Sequence, residues 1–177
     1  VVYNRSSGSQ NVVLGQYGNL TLQNTSTKVM ESNIGVTSDF TVSGGSVTAG
    51  ALILFNGNRN QSVSGIPYRS IDISGSGGFT KTFTSNASIN GAMSFTGGAG
   101  VINIDNSSAA LFTVLSTADS TARIGNIGNW TINGRAVVER YIPAQRKWRL
   151  LSIPTVPGET LRQALTRQVN GVYPNPV

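Results

Sequence analysis

The sequence predicts an all-β chain wound as a right-handed parallel β-helix, and three observations point there. The first is a unit written twice. Gln10, Val12, Tyr17, Leu20 and Leu22 recur 51 residues later as Gln61, Val63, Tyr68, Ile71 and Ile73. After two extra residues near Gly77 and Gly78 the echo resumes at a separation of 53. Lys28, Ser32, Asn33, Val36, Phe40, Val42, Gly44 and Gly45 are answered there by Lys81, Ser85, Asn86, Ile89, Met93, Phe95, Gly97 and Gly98. A fixed period near 50 residues marks stacked architectures, in which no unit buries its apolar face alone. The second observation is composition. Only 11% of residues are charged, against about 25% in ordinary globular domains, so Ser, Thr, Asn and Gly must cover the surface, and these suit short strands and turns. The third is alternation: in Leu20-Thr21-Leu22, Phe40-Thr41-Val42, Ile71-Asp72-Ile73 and Met93-Ser94-Phe95 the apolar residues fall on one face.

Coils of roughly 20–25 residues would make each unit two coils and residues 1–134 about five or six. An antiparallel β-sandwich is the alternative that such short strands permit. The near-constant period, the duplicated core positions and the absence of tight Asn-Gly hairpins between matched strands favour the solenoid.

Taken in order, residues 1–50 offer strands at Val1–Tyr3, Asn11–Leu14, Asn19–Leu22, Lys28–Met30, Gly35–Val36 and Asp39–Val42. Ser-, Asn-, Thr- and Gly-rich turns separate them. Residues 52–98 repeat the pattern, exchanging apolar for apolar at the alternating positions. A degenerate third pass over 99–134 follows, with Val101–Ile104, Leu111–Leu115, Ala122–Ile124 and Trp130–Ile132. Residues 135–177 differ and read as a basic C-terminal cap or the start of a following domain, a short mixed strand and helix segment. Val138–Pro154 reads as two strands hinged near Pro143 and Ala144. Thr160 to Gln163 has the form of a capping box, and Leu161, Ala164, Leu165 and Val169 continue at helical spacing.

The formal charge of +6 is unevenly placed. Through Ala122 the bases Arg5, Lys28, Arg59, Arg69 and Lys81 balance the acids Glu31, Asp39, Asp72, Asp105 and Asp119, and the whole excess lies after them. A neutral body lacks the electrostatic footprint of a nucleic-acid binder. With no cysteine and no histidine there is no thiolate or imidazole ligand, and no base that titrates near neutrality. No apolar run is long enough to span a membrane as a helix. The start at Val1, without methionine, reads as a processed chain or a fragment of a longer one.

Several stretches carry a family likeness. Val2-Tyr3-Asn4, Gly8 to Val12 and Tyr17 to Leu22, with the second copy at Asn56-Gly57, Asn60 to Val63 and Tyr68, resemble repeats of large secreted and cell-surface proteins of the Bacteroidetes. Ala122 to Gly125, Val138 to Pro143 and Arg146 to Leu151 are similar to the segment that follows those repeats. The resemblance implies a secreted, adhesin-like or surface-structural protein, found outside the cell or on its surface and exported by the type IX secretion system. Tyr173 to Pro176 is similar to the start of one class of sorting domain.

The expected role is therefore a non-catalytic stalk or spacer of a larger exported protein. Its expected partners are type IX secretion components during export, and surface glycans or other surface proteins. A carbohydrate-binding or carbohydrate-active β-helix is the alternative, and cargo engaged by the secretion machinery through its C-terminal part is another. The acids are scattered, so no acid/base pair can be named, and no catalytic residue, cofactor or metal ligand is assigned. Asp105 beside Asn103 and Asn106 reads better as a turn or asparagine ladder than as a calcium site. Arg140, Arg146, Trp148 and Arg149 are the candidate glycan or partner contacts, although Trp148 reads first as a capping plug. Tyr17 and Tyr68 read as stacked interior residues before binding subsites.

Overall fold

The computed structural model describes residues 1–104 and 111–143. The chain divides into two compact units, Val1–Ile142 and Pro143–Val177, and the first is a parallel β-solenoid. Its strands come in threes. The first coil holds β1 (Val2–Tyr3), β2 (Ser9–Asn11) and β3 (Gly15–Tyr17), and the second β4 (Leu20–Leu22), β5 (Thr27–Met30) and β6 (Ile34–Val36). In the next two coils the second and third strands fuse: β7 (Phe40–Val42) precedes β8 (Val47–Phe55), and β9 (Gln61–Val63) precedes β10 (Pro67–Ile73). The fifth coil is β11 (Phe79–Phe83), β12 (Ala87–Ile89) and β13 (Ala92–Phe95), and the sixth β14 (Ala99–Asn103), β15 (Phe112–Val114) and β16 (Arg123–Ile124). β17 (Asn129–Asn133) and β18 (Ala136–Val138) open a seventh.

Each strand lies parallel on its counterpart in the next coil, which produces three ladders. The first is the seven-stranded sheet β1-β4-β7-β9-β11-β14-β17. The eleven-stranded sheet contains the other two, joined where β8 and β10 run from one ladder to the next. All pairs of named strands are parallel, which excludes the sandwich. The one antiparallel bridge among the described residues, Ser116 to Thr121, lies in a surface hairpin. No helix occurs among the described residues, and the helix expected over Leu161–Val169 lies outside them. The ladders continue past residue 134, the expected end of the solenoid, because β18 pairs with β15.

Coil lengths centre on the expected range: Leu20 pairs with Phe40 and Gln61 with Lys81 at a separation of 20 residues, Phe40 with Val63 at 23 and Ile102 with Ile132 at 30. Residues 1–134 thus hold the six coils at the upper end of the expectation and begin a seventh. One expected strand also moves: β2 ends at Asn11, and Val13 and Leu14 stand exposed where the chain turns into β3.

The duplicated unit consequently does not span whole coils. Gln10, on the second ladder of the first coil, is matched by Gln61 on the first ladder of the fourth. Leu20 on the first ladder of the second coil is matched by Ile71 on the third ladder of the fourth. Each copy thus advances two coils and two of the three faces. The solenoid tolerates this shift because one pattern, buried at the two ends and partly exposed between, occurs on all three faces, as in β4 on the first, β12 on the second and Ile71–Ile73 of β10 on the third. A unit can move to another face without changing which side chains point inward.

Inside, identical ladder positions stack into columns. Leu20, Phe40, Val63 and Phe83 form one, and Ile34, Ile53, Ile71 and Met93 another, all at 2% exposure or less. Each such side chain contributes about 1.5–3 kcal/mol. Aromatic rings run between columns, with Phe55, Tyr68 and Phe83 meeting edge to face at centroid distances of 6.3 and 6.1 Å. Tyr17 and Tyr68 lie in this interior, and each hydroxyl donates to the carbonyl four residues earlier, Val13 O and Ser64 O. The tyrosine recurs because its ring fills the core while its hydroxyl closes the same corner.

Two polar residues recur for the same kind of reason. Lys28 and Lys81 are wholly buried. Each stacks on the repeated glutamine of the preceding coil, Gln10 under Lys28 and Gln61 under Lys81. Together they hold the turn before that glutamine. Gln61 Oε1 accepts from Gly57 N at 3.1 Å, and Lys81 Nζ donates to Gly57 O and Arg59 O. In the first copy Gln10 Oε1 accepts from Arg5 N at 3.1 Å, and Lys28 Nζ donates to Arg5 O at 3.1 Å and to Ser26 Oγ.

Asparagines at the corners latch one coil to the next. The repeat mates Asn33 and Asn86 accept, through Oδ1, from Leu52 N at 3.2 Å and Leu111 N at 2.8 Å. Asn58 and Asn60 do the same for Ser76 N and Thr80 N. The paired glycines have a steric cause. Gly45 and Gly98 adopt φ of 72° and 74°, and a Cβ there would approach Ser26 O to 2.3 Å and Gly75 O to 1.6 Å.

Candidate functional site

Of the residues singled out for contact, Arg140 follows β18 and is exposed. Arg146, Trp148 and Arg149 lie outside the described residues. The aromatic closing the described end of the stack is Trp130 in β17, 4% exposed, whose Nε1 donates to Gly97 O at 3.0 Å. The interior tyrosines are not surface subsites. Burial raises the Tyr17 hydroxyl to about 12 and Tyr68 well above the ordinary tyrosine value. Burial also lowers Lys81 to about 8.

Three of the five described acids work as fasteners. Asp39 Oδ1 accepts from Ser62 N at 2.8 Å, Asp72 Oδ1 from Thr96 Oγ1 at 2.7 Å, and Glu139 Oε2 from Ser116 N at 3.4 Å. Among the described residues no three Asp, Glu, His or Cys side chains converge as a metal site would require. Asn103 sits in a polar ladder, donating to Thr82 Oγ1 and accepting from Asn133 Nδ2, both at 3.3 Å. Asp105 lies outside the described residues.

The surface feature with chemical character is a cleft of about 430 Å³ where the second ladder turns into the third. Arg69 sits on the fourth coil and Arg123 on the sixth, with Asn90, Gly91 and Ala92 on the coil between. The register explains the hollow. Ala92 pairs with Arg123, and a Cβ on Gly91 would lie 2.4 Å from Arg69 O, so the middle rung carries almost no side chain between the two arginines. Arg123 N donates to Gly91 O at 2.9 Å and Ala92 N to Ser70 Oγ at 3.4 Å, which fixes the floor.

The hairpin from Leu115 to Ala122 forms one wall and contributes Ser120 and Thr121. It is closed by Ala122 N to Leu115 O at 2.8 Å and Thr117 N to Ser120 O at 2.7 Å. Arg140 belongs to the next coil beside this hairpin, because Tyr141 N donates to Ser116 Oγ at 3.0 Å. Arg69 and Arg123 were not singled out in the sequence. Neither is repeated: Gly18 stands where a first-copy mate of Arg69 would be, and Arg123 lies beyond the two copies, with Ser70 at the position 53 residues before it.

Comparison of the chain with protein-family models, with curated proteins and with solved structures finds no match.

Proposed function

We propose that this chain is a non-catalytic structural and adhesive module, a β-solenoid spacer of a larger exported surface protein. The observation that carries the reading is the use of the acids. Asp39, Asp72 and Glu139, which a hydrolase or lyase of this architecture would place together, are spent singly on tying neighbouring coils. The repeat likewise preserves packing and turn closure rather than an outward set of groups. Export by the type IX system and a place on the cell surface are supported by the likeness of Val138–Pro143 and Arg146–Leu151 to segments of Bacteroidetes surface proteins. Carbohydrate binding is the second reading, and the Arg69–Arg123 cleft favours it over carbohydrate cleavage.

Incubation with neutral and acidic polysaccharides, with and without calcium, tests the non-catalytic role. No new reducing or unsaturated ends should form. Turnover that disappears on Asp39→Asn or Asp72→Asn would overturn it. Capture of secretion components by the chain, lost on deleting residues 135–177, is the result expected of exported cargo.

A further inference from the structure

The Arg69–Arg123 cleft has the chemistry to recognise one class of ligand, and we infer that it binds an acidic polysaccharide through the carboxylate or sulfate groups on its sugars. The inference rests on the adhesive reading above and names its ligand. Both arginines stand on strands, Arg69 in β10 between Tyr68 and Ser70, where the pairing with β8 shifts register, and Arg123 in β16, paired with Ala92 of β13. Tyr68 and Ser70 on either side of Arg69 are paired with β8, and Arg123 with β13, which anchors the backbones from which the two cationic heads extend. They are two rungs apart, about 10 Å at the usual strand separation, so the site is longer than a single anion and suits a chain of them. Both side chains are exposed. Among the described residues neither guanidinium is engaged in a hydrogen bond or ion pair, so their donors are available for bidentate contact with planar carboxylates or sulfates.

What surrounds the two charges separates a sugar from other polyanions. Asn90, Ser120 and Thr121 line the rest of the cleft with amide and hydroxyl groups that both donate and accept, matching the hydroxyls of a saccharide ring. An acidic peptide would be held better by an open strand edge or an apolar pocket for its side chains. The bare rung at Gly91 and Ala92 leaves backbone within reach and room for a ring between the arginines. The cleft falls within the range of about 300–1,000 Å³ usual for ligand sites.

Titration calorimetry of the full chain with oligogalacturonate, dextran sulfate, neutral dextran and poly-glutamate tests this. Binding of oligogalacturonate or dextran sulfate, weakened about tenfold or more in Arg69→Ala and in Arg123→Ala and unchanged in Arg59→Ala, is expected. Affinity should also fall as salt rises. Oligogalacturonate alone would mark carboxylate as the recognised group, and dextran sulfate alone would mark sulfate. Equal binding of neutral dextran or poly-glutamate, an equal loss in Arg59→Ala, or no binding of either acidic sugar would overturn the inference. Circular dichroism of each variant confirms that the fold is retained. Absence of binding would leave the spacer role intact, whereas turnover of either polymer would remove the role and not the cleft.

Discussion

Lys81 offers a measurement in which burial alone sets the outcome. Its side chain is fully enclosed, and its ammonium reaches the corner carbonyls of Gly57 and Arg59. Burial lowers its pKa to about 8 from the ordinary 10.5. Between these two values the unfolded chain binds more protons than the folded one, so stability must rise with pH across that interval. Below pH 8 the lysine is charged in both states and the folded form carries the whole cost of enclosing it. Above 10.5 it is neutral in both and the cost vanishes. With these two values the gain from pH 8 to pH 10 is about 2 kcal/mol, which for a chain of this size is a rise in melting temperature of roughly 4–8 °C. Tyr17 and Tyr68, held protonated by burial, act in the opposite sense and only above about pH 10, so the scan stops there. In Lys81→Met the rise should disappear. The absolute stability of that variant balances relieved burial against two carbonyls left without a donor, so the slope is the readout. Melting by circular dichroism at pH 8, 9 and 10 measures it. A flat or falling profile in the parent chain, or the same rise in Lys81→Met, would refute the reasoning.

Leu22→Asp and Ile73→Asp each place an unpaired carboxylate at a position with no solvent exposure, and each should cost more than about 4 kcal/mol. Chemical denaturation checks this, and small effects at both sites would contradict their inward assignment. Removing one latch, Asn33→Ala or Asn86→Ala, should cost about 1 kcal/mol, and the two losses should add within about 0.5 kcal/mol because the sites are far apart in the stack. Gly98→Ala should destabilise by more than either latch, since its φ of 74° and the nearness of Gly75 O both oppose a side chain.

Much of the solenoid can be read in the sequence because inward residues alternate with polar ones over segments as short as Leu20–Leu22 and Ile71–Ile73. The duplicated Tyr17 and Tyr68 were legible for the same reason. The lysines were harder, because a lysine is expected in water. The signal was nonetheless present: Lys28 lies two residues before Met30, and Lys81 two before Phe83, which puts each on the buried face of its strand. The advance of two coils and two faces was hidden, since three equivalent ladders leave the inward pattern unchanged when a unit moves round the coil. The cleft was hidden more deeply. Arg69 and Arg123 are distant in sequence, and only the register that sets Gly91 and Ala92 between them turns two surface arginines into one site.

The most direct measurement is hydrogen–deuterium exchange along residues 1–142. If both copies of the repeat belong to one continuous stack, the amides of β7, β9 and β11, each paired on both sides, should exchange together and slowest. Protection should then decline toward β1 at one end and toward β17 and β18 at the other. Two separate maxima of protection, one within residues 1–50 and one within 52–98, divided by fast exchange in β8, would mean that each copy folds alone and would contradict the shared solenoid.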